Sequence, residues 1–428
     1  MSAERQTAET ARRETLDRRF VDVFAGCGGL SLGLKRAGWQ GVLAVEKDPM
    51  AFETLDANFP PNSEPWSYDW PSSIERVAWD IEDLLRNKTE ALKALAGQVE
   101  LLAGGPPCQG FSVAGRRRRD DPRNGLVGAY VELVSLLRPK LVLMENVRGF
   151  AAAFKCDATD TKTNFATEVE EQLSRDYDVA TAILRASDFG VPQLRPRFIL
   201  VGAAKELDCS AQIEGFFEEL QADAVGFLNQ RGLSRETTSR DAISDLEVTR
   251  NGTVASPDTT GFEATGYKEP KTAYQRAMHR GCIGSPSDLR LARHRESTTA
   301  RFEAIIEASR EEGRLNMTVS PETKRAHGIK KAAIRVLDPL RPAPTVTSLP
   351  DDLIHYSEPR TLTVRENARL QSFPDWFSFR GKYTTGGDRR VREVPRFTQV
   401  ANAVPPLLAE QLGERLMKLF GEATRSSS

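Results

Sequence analysis

The segment that most narrows the fold of this 428-residue chain runs from Phe20 to Gly38. Phe20-Val21-Asp22-Val23-Phe24 alternates as a strand does, and Ala25-Gly26-Cys27-Gly28-Gly29-Leu30-Ser31-Leu32-Gly33 turns into a helix that reaches Ala37 and is closed by Gly38. Strand, glycine turn and helix open a doubly wound α/β sheet, where glycines let the backbone approach a ligand and the helix N-terminus presents free N–H groups. A glycine turn can also serve strand–helix packing alone. Leu43-Ala44-Val45-Glu46 sharpens the reading, because a second strand ends there in an acid about 20 residues after the turn, the position that binds a ribose diol. Asp80, in Trp79-Asp80-Ile81, is a third candidate, facing an adenine amine or simply solvated.

A second stretch carries the chemistry. Val99-Glu100-Leu101-Leu102-Ala103 reads as a short buried strand, ended by Gly104-Gly105-Pro106-Pro107-Cys108-Gln109-Gly110-Phe111-Ser112. Paired glycines and prolines place Cys108 in a stiff loop at a strand's C-terminal edge, where open α/β sheets keep their reactive groups. A thiol there is a candidate nucleophile, since a few per cent thiolate at neutral pH suffices once the group is positioned. Arg116 to Arg119 follow in a glycine-containing loop suited to phosphates, or to a solvated surface offset by Asp120 and Asp121. Leu126 to Leu137 has helical spacing, and Leu141-Val142-Leu143-Met144 is an apolar strand ending in Glu145. That puts an acid on the same sheet edge as the nucleophile.

Composition bounds the setting. Apolar residues make up 39% and charged residues 28%, an ordinary globular balance, and 428 residues suffice for two lobes. Apolar runs fall short of a membrane span and the N-terminus has no apolar signal core, so a cytoplasmic protein is expected. Five cysteines (27, 108, 156, 209, 282) with no CxxC spacing argue against a disulfide framework and a zinc site, so no metal is expected. The net charge of −1 hides a split. Glu206 to Tyr267 holds 4 basic and 12 acidic residues, whereas Lys268 to Arg335 holds 15 basic and 8 acidic. The second block is the expected nucleic-acid surface, with a helical run from Arg290 to Arg310 along the phosphate backbone or as a solvated face.

With Cys108 in Gly-Pro-Pro-Cys-Gln-Gly-Phe-Ser and Glu145 in Glu-Asn-Val, the chain resembles the DNA (cytosine-5) methyltransferases of the bacterial restriction-modification type. Further blocks follow in the family's order. Phe24-Ala25-Gly26-Cys27-Gly28-Gly29 resembles its S-adenosylmethionine turn, and Phe189-Gly190-Val191-Pro192-Gln193-Leu194-Arg195-Pro196-Arg197 its Gln-x-Arg-x-Arg segment. Arg360 to Pro374 resembles the block that supports the recognition domain, and Gln399-Val400-Ala401-Asn402-Ala403-Val404-Pro405-Pro406 the terminal block that returns to the cofactor. Ala401 departs from the family's usual glycine, which matters only if that backbone needs positive φ.

The resemblance implies a Rossmann-like α/β domain that binds S-adenosylmethionine, joined to a smaller, irregular target recognition domain. Residues 1–19 form an arm, 20–205 the catalytic domain, 206–345 the recognition domain and 346–425 a return segment. It implies catalytic roles for Cys108, Glu145, Arg195 and Arg197: Cys108 adds to cytosine C6, Glu145 holds N3 and the amine, Arg197 meets O2, and Arg195 fixes Glu145 or the loop. Cofactor contacts are implied for Phe24, Ala25, Gly26, Cys27, Gly28, Gly29, Leu30, Glu46, Lys47, Asp80, Ile81, Gly105, Pro106, Asn402, Ala403 and Val404. Substrate contacts are implied for Pro107, Gln109, Ser112 and Gln193. The substrate would be a flipped-out cytosine in double-stranded DNA, the enzyme a monomer with a cognate restriction endonuclease, nucleoid-associated when bound. A tRNA cytosine-5 methyltransferase of the same fold is the alternative. A nicotinamide oxidoreductase would use the glycine turn and Glu46 but gives Cys108, Glu145, Arg195 and Arg197 no role.

Overall fold

The computed structural model describes residues 18–107, 125–152, 154–155, 162–386, 389 and 392–426. Cys108, Gln109, Ser112 and the arginines 116–119 lie outside the described residues. Two compact units emerge, one of residues 1–185, 196–223 and 408–428, the other of residues 186–195 and 224–407.

The first unit is built on a six-stranded sheet. Its strands are β1 (Arg19–Val23), β2 (Gln40–Val45), β3 (Leu101–Gly104), β4 (Leu141–Val147), β5 (Tyr177–Arg185) and β6 (Pro196–Ala204), in the order β2-β1-β3-β4-β6-β5. The first four run parallel; β6 is antiparallel to both β4 and β5. Parallel strands covered on both faces read as continuous apolar runs, which is why Leu101-Leu102-Ala103 and Leu141 to Met144 are wholly buried. The chain leaves β1 toward β2 and then crosses back to β3 on the other side. This makes β1/β3 the point where strand order reverses, and ligands bind at the strands' C-terminal ends there.

Helix α1 (Gly29–Arg36) follows β1, with Gly38 at φ 95° past its end. Helix α2 (Pro49–Asn58) is capped by Asp48, and α3 (Ile81–Asn87) by Asp80. Helix α4 (Gly125–Leu137) supplies Tyr130, whose hydroxyl donates to the carbonyls of Leu102 and Leu143 and so ties β3 to β4 from below. The part of the C-terminal helix that belongs to this unit packs on α1, where Trp39 Nε1 donates to Gly413 O over 2.9 Å.

The second unit is irregular, as expected of residues rich in turns. A hairpin joins β7 (Thr253–Ala255) to β8 (Glu263–Thr265). The expected helix from Arg290 starts later, as α5 (Glu296–Glu311), because the backbone at Arg290 bridges to Ala264 and Leu291 N donates to Glu263 O. Phe302, Ile305 and Ile306 bury one face of α5. Helix α6 (Val364–Leu370) is buried at every position and capped reciprocally by Thr363 and Glu366. Its Arg365 and Arg369 are fully buried: Arg369 pairs with Asp375 and Asp245, and Arg365 donates to Pro374 O and Phe377 O. These ion pairs are buried alongside apolar residues such as Leu370, Phe373 and Phe377.

Candidate active site

At the C-terminal end of β1, Phe24 adopts φ 60°, Gly26 φ 57° and Gly28 φ 94°. A Cβ at Gly28 would lie 2.6 Å from the Phe59 ring, so the turn tolerates no side chain there. Above Gly26 a Cβ would meet nothing within 4 Å, which leaves open space over the turn. Glu46, at the end of β2, closes the turn from the side: its carboxylate accepts from Gly26 N at 2.9 Å and from Asp48 N at 2.8 Å. Burial pushes the Glu46 carboxyl above its usual range, against the pull of those N–H groups. Trp79 N donates to Glu46 O and brings Asp80 beside the same strand end. Asp80 accepts from Glu82 N as a helix cap and lies 3.9 Å from Lys47 Nζ. Leu30 and Ile81 are core residues, and Cys27 is buried with its thiol pushed up to about 12 by desolvation, so it is chemically inert.

These residues fit the methyl donor that the sequence implies. A glycine turn with open space, a helix start without a side-chain cap and an acid at the second strand's end form a cradle for a nucleoside.

Two strands over, Glu145 lies in β4 opposite Ile199 and Arg197 lies in β6 opposite Val147, so the two are diagonal neighbours across the antiparallel ladder. Arg197 Nε meets Glu145 Oε1 at 2.6 Å, with both side chains about a tenth exposed. Arg197 Nη1 donates to Pro196 O, and Nη2 has no partner among the described residues. Gly105 lies against the carboxylate, since a Cβ there would be 3.1 Å from Glu145 Oε2. Asn146 Nδ2 donates to Pro106 O, fixing the Pro106-Pro107 backbone from which Cys108 continues.

Sequence reasoning missed a buried polar chain under the turn. Tyr68 Oη donates to Ser31 Oγ at 2.6 Å, and Ser31 Oγ donates to Asp22 Oδ2 at 2.5 Å. Burial raises the Asp22 carboxyl to about 7, and its Oδ1 has no partner among the described residues. The available signal was an acid in an otherwise apolar strand.

The other expected site residues belong to the second unit. Arg195 is fully buried and donates to the carbonyls of Ala401 and Ala403, at 2.6 and 3.2 Å. Among the described residues the ion pair of Glu145 is with Arg197, while Arg195, expected to fix Glu145 or the loop, fixes the Ala401 and Ala403 carbonyls. Gln193 corrects another expectation: it is 0% exposed, its amide donates to Leu370 O and Gln371 Oε1, and it accepts from Val346 N. With both amide hydrogens and the oxygen engaged inside the fold, and no exposed surface, the side chain holds the structure. Helix α7 (Arg396–Asn402) contains Ala401 in helical backbone, so the alanine fits without strain. Asn402 is exposed, and Ala403 and Val404 are buried.

A mixed sheet with helices, a glycine turn closed by an acid and an acid–arginine pair at the strands' C-terminal ends is an α/β methyltransferase fold. Residues 18–418 match the family described as C-5 cytosine-specific DNA methylase, and the chain belongs to that family. It is similar to the type II methyltransferase M.DdeI of Desulfomicrobium norvegicum, at 32% identity over 94% of this chain and 89% of that protein. Similarity to M.XorII of Xanthomonas oryzae pv. oryzae is also 32%, over 93% and 84%. Among solved structures, a prophage-encoded protein of E. coli described as a DNA modification methyltransferase matches with TM-score 0.65 at 25% identity, over 94% of this chain and 99% of that one. The chain is thus a DNA cytosine-5 methyltransferase. Among the described residues, no helix is long and apolar enough to cross a membrane.

Proposed function

We propose that the enzyme methylates C5 of a flipped-out cytosine in one duplex DNA word through a covalent adduct with Cys108, as the modification half of a restriction-modification system. The observation that carries this reading is the Glu145–Arg197 ion pair against Gly105, at the sheet edge that feeds directly into Cys108. S-adenosylmethionine, held at the Gly26–Gly29 turn with Glu46 on its ribose, supplies the electrophilic methyl. Cytosine C5 is too poor a nucleophile to take it unaided.

Cys108 thiolate forms a bond to C6, and the displaced ring electrons make C5 nucleophilic. Glu145 donates a proton to N3, offsetting the negative charge gathering there, and its oxygen accepts from the exocyclic amine. Arg197 keeps Glu145 oriented through Nε and offers Nη2 to the cytosine O2. Water then removes the C5 proton, and Cys108 leaves by elimination. The base must leave the stack for any of this, at a cost of a few kcal/mol; Pro107 and, in the sequence that follows the nucleophile, Gln109, Ser112 and Arg116 to Arg119 would hold the DNA open. Residues 20–205 supply this chemistry, 206–345 read the word, and 346–425 complete both. The enzyme acts as a monomer in the cytoplasm beside a cognate endonuclease; the type II names of its relatives support the restriction-modification part of this setting.

Transfer of labelled methyl from S-adenosylmethionine to unmethylated duplex DNA, followed by bisulfite sequencing, tests the reading. Methylation at one recurring word, lost in Cys108→Ser, is expected. Transfer to tRNA and to no DNA would overturn it.

A further inference from the structure

The second unit contains an alternating column of cations and rings. The Arg290 guanidinium carbon lies 3.7 Å from the Tyr383 ring centre and 4.4 Å from that of Phe262. Arg293 lies 4.3 Å from Phe262, and Arg396 4.2 Å from Tyr383. Two guanidinium groups cannot share one ring face at such distances, so the order is Arg293, Phe262, Arg290, Tyr383, Arg396. The column is anchored at one end. Asp258 accepts from Tyr383 Oη at 2.8 Å and from Arg396 Nη1 at 2.6 Å, and Asp288 accepts from the same Arg396 nitrogen at 2.9 Å.

The carboxylates neutralise Arg396 and leave the other two cations unpaired. Neither Arg290 nor Arg293 has an ion-pair or side-chain hydrogen-bond partner among the described residues, and no nitrogen of either is buried without a partner. Their donors therefore face solvent. Arg290 is clamped on both faces, so it keeps only its in-plane edge for a guest, in a fixed direction. A rigid, planar fork of donors matches the paired acceptors N7 and O6 of guanine in the major groove. Arg293 is stacked on one face only and exposed, which suits a phosphate. Three cations in one column repel each other, and an acceptor-rich guest relieves that repulsion.

We infer that Arg290, held between Phe262 and Tyr383, reads a guanine in the DNA word, while Arg293 contacts the adjoining backbone. This rests on the DNA-methylating reading above and names a residue that sets its specificity.

The test uses the whole enzyme, unmethylated phage DNA and bisulfite sequencing, with wild type, Arg290→Gln, Arg290→Lys and Arg293→Gln. S-adenosylmethionine binding and the thermal melt check folding. The wild-type word should contain a fixed guanine besides any that pairs with the target cytosine. Arg290→Gln should lower kcat/KM on that word about 5- to 150-fold and admit other bases at that one position, with Arg290→Lys between the two. Arg293→Gln should weaken all words alike and reduce the salt dependence by about one ion. On synthetic duplexes, 7-deazaguanine at the fixed position should slow the wild type and leave Arg290→Gln unchanged, a readout on native protein that holds even if a variant misfolds. An unchanged word in the folded Arg290 variants, or indifference of the wild type to 7-deazaguanine at every guanine, overturns the inference while leaving DNA methylation standing. Absence of DNA methylation by the wild type overturns both.

Discussion

Arg197 Nε stands 2.6 Å from Glu145 Oε1, across a pair of antiparallel strands that meet at the reactive edge of the sheet. The pair is nearly buried, so removing either member leaves a charge without compensation. Glu145→Gln keeps the shape but cannot deliver a proton to the cytosine ring. Its kcat should fall about 10²- to 10⁴-fold while S-adenosylmethionine affinity stays within two-fold of wild type. Single-turnover methylation with calorimetric cofactor titration checks both, and a normal kcat would remove Glu145 from the chemistry.

Glu46 holds the glycine turn, and in the proposed reading it also binds the cofactor's ribose. Its carboxylate fixes Gly26 N and Asp48 N, so Glu46→Ala should loosen the cradle as well as remove the diol acceptor. Hydrogen bonds to a charged group contribute about 1.5–3 kcal/mol, which predicts a cofactor affinity roughly 10- to 150-fold weaker. Glu46→Gln retains an acceptor for Gly26 and should lose less. Isothermal titration with S-adenosylhomocysteine reads both variants, and equal affinity across the three proteins would place the ribose elsewhere.

The first unit was largely legible because its signals are local. Glycines with obligatory backbone geometry, apolar runs of strand length and an acid at a strand end each announce themselves within a few residues, and β1, α1, β2, β3 and β4 all lie where those signals put them. What escaped depends on partners distant in sequence. Gln193 reads as a substrate group in its motif, yet residues about 150 and 180 positions away take up its amide. Arg195 and Arg197 are two residues apart in one motif, but Arg195 precedes β6 and donates to Ala401 and Ala403, whereas Arg197 lies within the strand and meets Glu145. The start of α5 was misplaced because helical spacing does not register a backbone bridge between Arg290 and Ala264.

The Asp22 carboxyl gives the enzyme a specific pH signature. Its folded pKa of about 7 lies above the ordinary 3.8, so folding takes up a proton between those values. Stability from this group is therefore full below about pH 4, declines as pH rises toward 7 and stays low beyond. Asp22→Asn cannot ionise. Relative to wild type it should gain stability with rising pH, by an amount on the order of 4 kcal/mol at most between pH 4 and 8. Urea unfolding of both proteins at several pH values measures the difference, and two parallel curves would mean that Asp22 is ionised in the native state already.

Arg369 shows how the second unit carries a charged network within its core. It is fully buried and meets Asp375 through two contacts at 2.5 Å, while Asp245 lies 3.2 Å from its Nη2. The guanidinium holds the Asp375 carboxyl below its usual range although burial alone would raise it; at Asp245 burial wins and the carboxyl is raised. Replacing the arginine by Met preserves volume but strands two buried carboxyls, which should cost about 3–5 kcal/mol. Adding Asp375→Asn and Asp245→Asn to Arg369→Met should recover much of that loss, since the penalty comes from uncompensated charge. Denaturant unfolding of the single and triple variants decides the matter: a triple variant as unstable as the single one would show that packing around α6, and not charge pairing, carries the stability.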